Sequence, residues 1–378
     1  MPSWESRPVE LFGGGEQTEN FANMASIYPS RRIRRSTESR PLADGPPIEL
    51  PLHVPGVDGI GNVAAFLEDG RSTGLLVLKN GKVRYEKYWH GFDRTTQHIS
   101  FSVCKSFVAT LVAFAVREGV INSLDDNVDH YVPTLRGSGY EGATIRQVLQ
   151  MSSGVRWNED YTTSESDVAK FNDALTKGGS FGAVCSGLPR EHPPGTFNRY
   201  NSCDTHVLSM VVAGAAGIPL WDFTERMLWQ PLGMEEDGYF LVDGLGTEAA
   251  AMGLNATLRD YAKLGLFYAD RGCLDGHDLL PAGFWTGCAT ATEPHLRPGE
   301  RLNATSPFGY GFQWWIPDDT GPFTAIGVYH QYIWIDPKSH VVVVKTSADP
   351  SFGQNELVSD KKDRQHFALF KAISRLLG

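Results

Sequence analysis

ISFSVCKSFVATLVAFAVREG, Ile99 to Gly119, opens as a short polar-flanked segment and turns almost uniformly apolar. Its apolar residues cover nearly the whole circumference of a 3.6-residue period. That predicts a buried helix from about Val103 to Glu118, stopping at Gly119. Inside the run stands Lys105, three residues after Ser102. On a helix, positions i and i+3 share one face. A serine hydroxyl is a weak nucleophile until a base takes its proton. A lysine can be that base only if its pKa falls well below about 10. Burial disfavours the ammonium, and the positive end of the helix dipole near Ser102 pushes the same way. Ser102 and Lys105 are therefore a candidate nucleophile and base. Four letters with two fixed also recur by chance. SDKK at Ser359 matches, but its charged surroundings read as an N-cap followed by a solvated Lys362.

The elements around this helix follow from local pattern. TGLLVLKNGKVRYEKYW (Thr73 to Trp89) reads as a hairpin, because Asn80-Gly81 suits a type I′ turn between two β-rich runs. TIRQVLQM (Thr144 to Met151), SCDTHVLSMVVAGAAG (Ser202 to Gly217) and TLRDYAKLGLFYADRG (Thr257 to Gly272) read as helices. YGFQWWI, TAIGVYHQYIWIDP and HVVVVKTSA read as successive strands, and the segment from Ser359 as a C-terminal helix. Strands on both sides of a helical middle predict one antiparallel sheet completed by both chain ends. The expected division is an N-terminal extension over 1–55, an α/β sheet domain over 56–119 and 246–378, and a mostly helical insertion over 120–245. The extension is rich in Pro, Arg and Gly and reads as a segment laid over the surface. Its one basic cluster, SRRIRRSTESR, reads as a solvated arm.

PPGTFNRYNSCDTHVL (Pro193 to Leu208) adds Tyr200 at a helix start. A tyrosine hydroxyl near an amine can relay a proton to a leaving group. Together, SVCKS, TIRQVLQMSSGV, PPGTFNRYNS, GLNATLRDYAKLG, YGFQWW and GVYHQYIWIDP resemble the serine β-lactamase-like hydrolases. These are the class C β-lactamases, penicillin-binding proteins and esterases, and within them the nylon-oligomer (6-aminohexanoate-dimer) amidases. The resemblance runs from about Gly70 to the C-terminus. It implies an α/β, β-lactamase/transpeptidase-like fold: a central antiparallel sheet flanked by helices, with an inserted mostly helical subdomain. It also implies an acylated nucleophile at Ser102, its base partner at Lys105 and a proton shuttle at Tyr200. Ser202 matches the third residue of the tyrosine motif, and Tyr161 of WNEDY matches a tyrosine that reaches the substrate amide. The third motif departs from the family pattern: Tyr329-His330-Gln331 stands where β-lactamases carry Lys-Thr-Gly, with a bulky middle residue and no lysine to grip a carboxylate. That argues against a penicillin target and leaves amide and ester substrates both open.

The chain has 378 residues and a net charge of −10, with no basic domain or stripe, so nucleic acid is not an expected partner. Its longest apolar run is far short of the roughly 18 residues that span a bilayer. The N-terminus lacks a basic start followed by an apolar core. Five cysteines without a C-x-x-C pair fit reduced thiols. These features lead to the expectation of a cytoplasmic protein acting on a small molecule, with no membrane partner, no metal and no cofactor, and with a homodimer left open. GGSFG (Gly178 to Gly182) and GIGNVA (Gly59 to Ala64) match a hydrolase elbow and a dinucleotide loop, but neither has the preceding strand its motif requires. A ligand-binding protein on the same fold, without turnover, is the alternative.

Overall fold

The computed structural model describes residues 17–352 and 356–378. Its centre is an eight-stranded sheet. In spatial order the strands are Gly309–Tyr310, Trp315–Ile316, Phe323–Gly327, Gln331–Asp336, Val341–Ser347, Ser72–Lys79, Lys82–Tyr88 and Ala43–Asp44. Every neighbouring pair is antiparallel except the last, which makes the sheet mixed. The two halves of the chain meet at its middle, where Val343 lies opposite Val77.

The runs LLVL and VVVV are apolar at every position because both faces of the sheet are covered. Leu75, Val77, Trp334 and Val343 pack with Phe367, Phe370 and Ile373 of the C-terminal helix Glu356–Leu377. The alternate residues Leu76, Leu78, Ile333, Val342 and Val344 enter the larger core on the other face, which also holds the helices Cys104–Arg117 and Leu258–Ala269. The hairpin turn has positive φ at both Asn80 (51°) and Gly81 (73°), as a type I′ turn requires. Between the strand-rich parts lie the helices Ile145–Leu149, Asp167–Thr176, Phe181–Ser186 and Ser202–Ala216.

Three expectations are corrected. The sheet is not single: Ser30–Ile33, Gly238–Leu241, Leu254–Thr257 and Gln97–Ile99 form a second, antiparallel one. The arginine cluster supplies its edge strand and is no free arm. Ile33 is buried, and Arg34 pairs with Glu225 through both its backbone N–H (2.8 Å) and its guanidinium (2.6 Å). Short strands drawn from four distant places carry too little periodicity to be read locally. Lastly, Ser359 lies inside the C-terminal helix instead of capping it, and Lys362 is not merely solvated: it pairs with buried Asp349 at 2.6 Å.

The remaining elements leave Ser180 capping the helix Phe181–Ser186 with no strand before it, so GGSFG is a helix start. Among the described residues no single helix is long and apolar enough to cross a membrane. A bent pair, Ser202–Ala216 with Leu220–Trp229, passes by length and composition. The first of these is apolar because it lies in the core, with Cys203, Val207, Leu208, Val211 and Val212 all buried.

Candidate active site

The second sheet positions the serine. Strand Gln97–Ile99 ends at Ser100, whose N–H is tied to Leu254 O at 2.8 Å. Phe101 then takes a left-handed backbone, φ 44°, and one tight turn, Phe101–Val103, leads into the Cys104–Arg117 helix. A bulky residue in that conformation is strained and is held only where its surroundings over-determine it. Here Phe21, from the N-terminal extension, packs edge-on at 4.9 Å and Tyr329 lies at 5.2 Å. The extension therefore buttresses the turn that presents Ser102.

Lys105 is buried on the first turn of the helix. Its Nζ is 3.0 Å from Ser102 Oγ and donates to Ala251 O at 2.8 Å. Burial brings its pKa down to about 8, against the opposing pull of the Glu159 carboxylate. Tyr200 comes from an extended stretch held by backbone bonds, Asn198 N–H to Asn303 O and Arg199 N–H to Met151 O, both 2.9 Å. Asn201 caps the Ser202–Ala216 helix. The Tyr200 ring stacks on Trp315 at 5.1 Å and receives Lys105 Nζ over its face, also at 5.1 Å. Burial pushes its phenol well above the usual tyrosine range, while a hydrogen bond with Ser102 pulls the other way.

Ser102, Tyr161 and Ser202 line one cleft of about 260 Å³, with Val168, Phe171, Met252 and Val328 giving it an apolar wall. Asn172 lines it too, and its buried Oδ1 has no hydrogen-bond partner among the described residues. So the structure brings Ser102, Lys105, Tyr200, Tyr161 and Ser202 together.

The side chains of Tyr329, His330 and Gln331 go elsewhere. Tyr329 sits among Phe21, Phe101 and Phe352. His330 Nδ1 is 3.0 Å from Tyr332 Oη and 3.3 Å from Asp363 Oδ1, behind the sheet. Gln331 ties its strand to the next by exchanging bonds with Ser347 N–H and O. The backbone turns here: Tyr329 and His330 both have left-handed φ, 64° and 66°, and of the turn Val328–His330 it is Val328 that lines the cleft. The strand before it ends at Gly327, where a Cβ would stand 2.6 Å from Ser100 O. Gly327→Ala is therefore expected to force this strand end away from the serine turn, at a cost of about 1–3 kcal/mol. Thermal unfolding would read the loss, and an unchanged Tm would mean that the two segments separate freely.

One residue escaped the sequence reading. Glu159 accepts from Tyr161 Oη and Ser202 Oγ, both at 2.6 Å, from Ser202 N–H at 3.2 Å, and from the Trp157 indole N–H. It stands in the same WNEDY run as Tyr161, but its partner Ser202 is 43 positions away and no local signal joins them.

A family model described as Beta-lactamase matches residues 61–366. The 6-aminohexanoate-dimer hydrolase of Paenarthrobacter ureafaciens is 27% identical over 360 residues, covering 93% of this chain and 88% of that one. Among solved structures, a provisionally named 6-aminohexanoate-dimer hydrolase from Bacillus anthracis superposes with a TM-score of 0.85 at 22% identity, over 98% of this chain and 99% of the other. A penicillin-binding protein from Bacillus halodurans reaches 0.61 at 19% identity, over 83% and 99%.

Proposed function

The chain belongs to the beta-lactamase family, with a 6-aminohexanoate-dimer hydrolase among its relatives, and from that premise we propose that it is a serine hydrolase cleaving small amides or esters through an acyl-enzyme on Ser102. The observation that carries this reading is the 3.0 Å contact between Ser102 Oγ and the Nζ of a lysine that burial brings to about 8. Such a lysine is in part free amine near neutral pH, as a general base must be. In the proposed reaction Ser102 Oγ bonds to the carbonyl carbon and its proton passes to Lys105. The carbonyl oxygen takes the electron pair, and the Ser102 N–H with a backbone N–H of the Val328–His330 turn are its candidate donors. Tyr200, kept a neutral phenol by burial, protonates the leaving nitrogen or oxygen as that bond breaks, and Lys105 returns the proton to Tyr200. Water then gives a proton to Lys105 as it adds to the acyl carbon, and Lys105 passes that proton to Ser102 Oγ as the bond to it breaks and the acid leaves.

The apolar wall fits a short aliphatic chain. The unpartnered Asn172 Oδ1 would accept a substrate N–H, which favours an amide or amine-bearing substrate such as a 6-aminohexanoate oligomer. Incubation with a short p-nitrophenyl ester and with linear 6-aminohexanoate dimer tests the reading. Hydrolysis is expected, with a transient acyl mass on the peptide carrying Ser102 and none in Ser102→Ala. Turnover that survives Ser102→Ala would overturn it. An adduct that forms without product release would mark a binding protein instead, a rival favoured by the outward course of the Tyr329-His330-Gln331 side chains.

A further inference from the structure

We propose that Glu159 is a positioning residue that locks Tyr161 and Ser202 in place and, through its charge, holds the proton of the Ser102–Lys105 pair on the lysine. The inference rests on the hydrolase reading above and concerns how its base is tuned. Four donors converge on this one carboxylate. Two of them, the Trp157 indole N–H and the Ser202 backbone N–H, meet Oε2 and can only donate. The other two come from the side chains of Tyr161 and Ser202, which line the cleft beside Ser102. A carboxylate so fully engaged is fixed in position, and its field falls on everything nearby.

The groups facing Lys105 come from four elements. Ser102 and Cys104 lie on its own turn and helix. Tyr200 and Cys203 come from the segment around the start of the Ser202–Ala216 helix, Ala251 O from the loop before strand Leu254–Thr257, and Glu159 from the loop before the Asp167–Thr176 helix. Cys104, Cys203 and Tyr200 are held protonated by burial, Cys104 at about 12. Among these groups Glu159 is the one carboxylate acting on the amine. Burial favours the neutral amine, and Glu159 opposes it. The lysine that results can still lose its proton to do work, yet is ready to give one back to Tyr200 when the leaving group departs. Without Glu159 it would be a weaker base, less able to take the Ser102 proton.

Glu159→Gln is a near-isosteric test. A glutamine can place its carbonyl toward Trp157 and the Ser202 N–H and its amide NH₂ toward the two hydroxyl oxygens, which accept as well as donate. It keeps the geometry and removes the charge. Glu159→Asn is a second charge-removing variant should the first fold poorly, and Glu159→Asp keeps the charge while disturbing the geometry. Two readouts apply: the pH profile of kcat/KM, and the pH dependence of Lys105 carbamylation by cyanate, followed by peptide mass, which reports the free amine without turnover. The half-point in Glu159→Gln is expected about 1 pH unit below wild type in both readouts. In Glu159→Asp it stays near the wild-type value even though turnover falls. A half-point unmoved in Glu159→Gln and Glu159→Asn would overturn the inference, whatever happened to the rate. A wild type without turnover would overturn the hydrolase reading alone, and the cyanate half-points would still decide this one.

Discussion

Lys105→Met is expected to lower kcat/KM by about 10³-fold or more while leaving the protein as stable as wild type at neutral pH, or more stable. Methionine fills most of the aliphatic volume of lysine, so the core around the Cys104–Arg117 helix keeps its packing. What disappears is the Nζ that lies 3.0 Å from Ser102 Oγ. Wild-type kcat/KM should rise with pH to a half-point near 8, where burial sets the lysine, and Lys105→Met should lack that limb. A variant that keeps both its turnover and the limb would mean that another group is the base.

The stability half of this prediction follows from linkage. The folded pKa of Lys105, about 8, lies below the ordinary lysine value of 10.5, so between these two the unfolded chain binds more protons. Stability from this group is then fully present above about 10.4 and is lost as pH falls toward 8. At pH 7 the buried lysine therefore costs the fold on the order of 3 kcal/mol, which methionine does not. The proposed catalytic use of the residue and its effect on stability have opposite signs, as expected where a site is built from a group its surroundings disfavour. Calorimetry of the two proteins at pH 7 and pH 10 would test this, with the gain shrinking at the higher pH.

The parts of the fold that were legible in the sequence are those fixed by neighbours in the chain. The Asn80-Gly81 turn, the glycine stop at Gly119 and the one-turn spacing of Ser102 and Lys105 all depend on a few adjacent residues. Tyr200 needed the order of several motifs, because what places it beside Lys105 is backbone bonding to Met151 and Asn303. Other features were out of reach for a similar reason. YGFQWWI reads as one strand but breaks at Gln313, φ 60°, whose side chain turns inward to Thr205 Oγ1 at 2.6 Å and to Leu149 O at 3.0 Å. Left-handed φ at Phe101, Tyr329 and His330 carries no glycine to announce it. Glu159 bonds Trp157 and Tyr161 in its own run and Ser202, 43 positions on, at the start of a helix. Strain and long-range polar contact cluster at this site, where local rules are expected to fail.

Asp204 supplies the other large effect, on stability. It sits fully buried on the Ser202–Ala216 helix, where Oδ1 accepts from Ser153 Oγ at 2.8 Å and from Tyr140 Oη at 2.9 Å, while Oδ2 has no partner among the described residues. Burial raises its pKa to about 7, and the two hydroxyl bonds pull back only in part. The folded chain thus holds a proton here between about pH 4 and 7 that the unfolded chain has released, and stability from this group falls as pH rises through that window. At pH 8 the penalty is on the order of 4 kcal/mol. Asp204→Asn keeps the acceptor for Ser153 and Tyr140 and cannot ionise, but it leaves a buried NH₂ in place of Oδ2, at a cost of about 1–3 kcal/mol. The net gain at pH 8 is therefore smaller than the penalty removed, and the diagnostic is the slope. His206 and His98, driven by burial to about 3 and about 4, change wild-type stability in the opposite sense below pH 6.5, so neither protein alone isolates Asp204. The difference does: Tm of Asp204→Asn minus Tm of wild type should climb steadily from pH 4 to 7 and then level off. A flat difference would mean that Asp204 is ionised in the folded protein throughout, and that its unpartnered oxygen finds a cation or water to hold it.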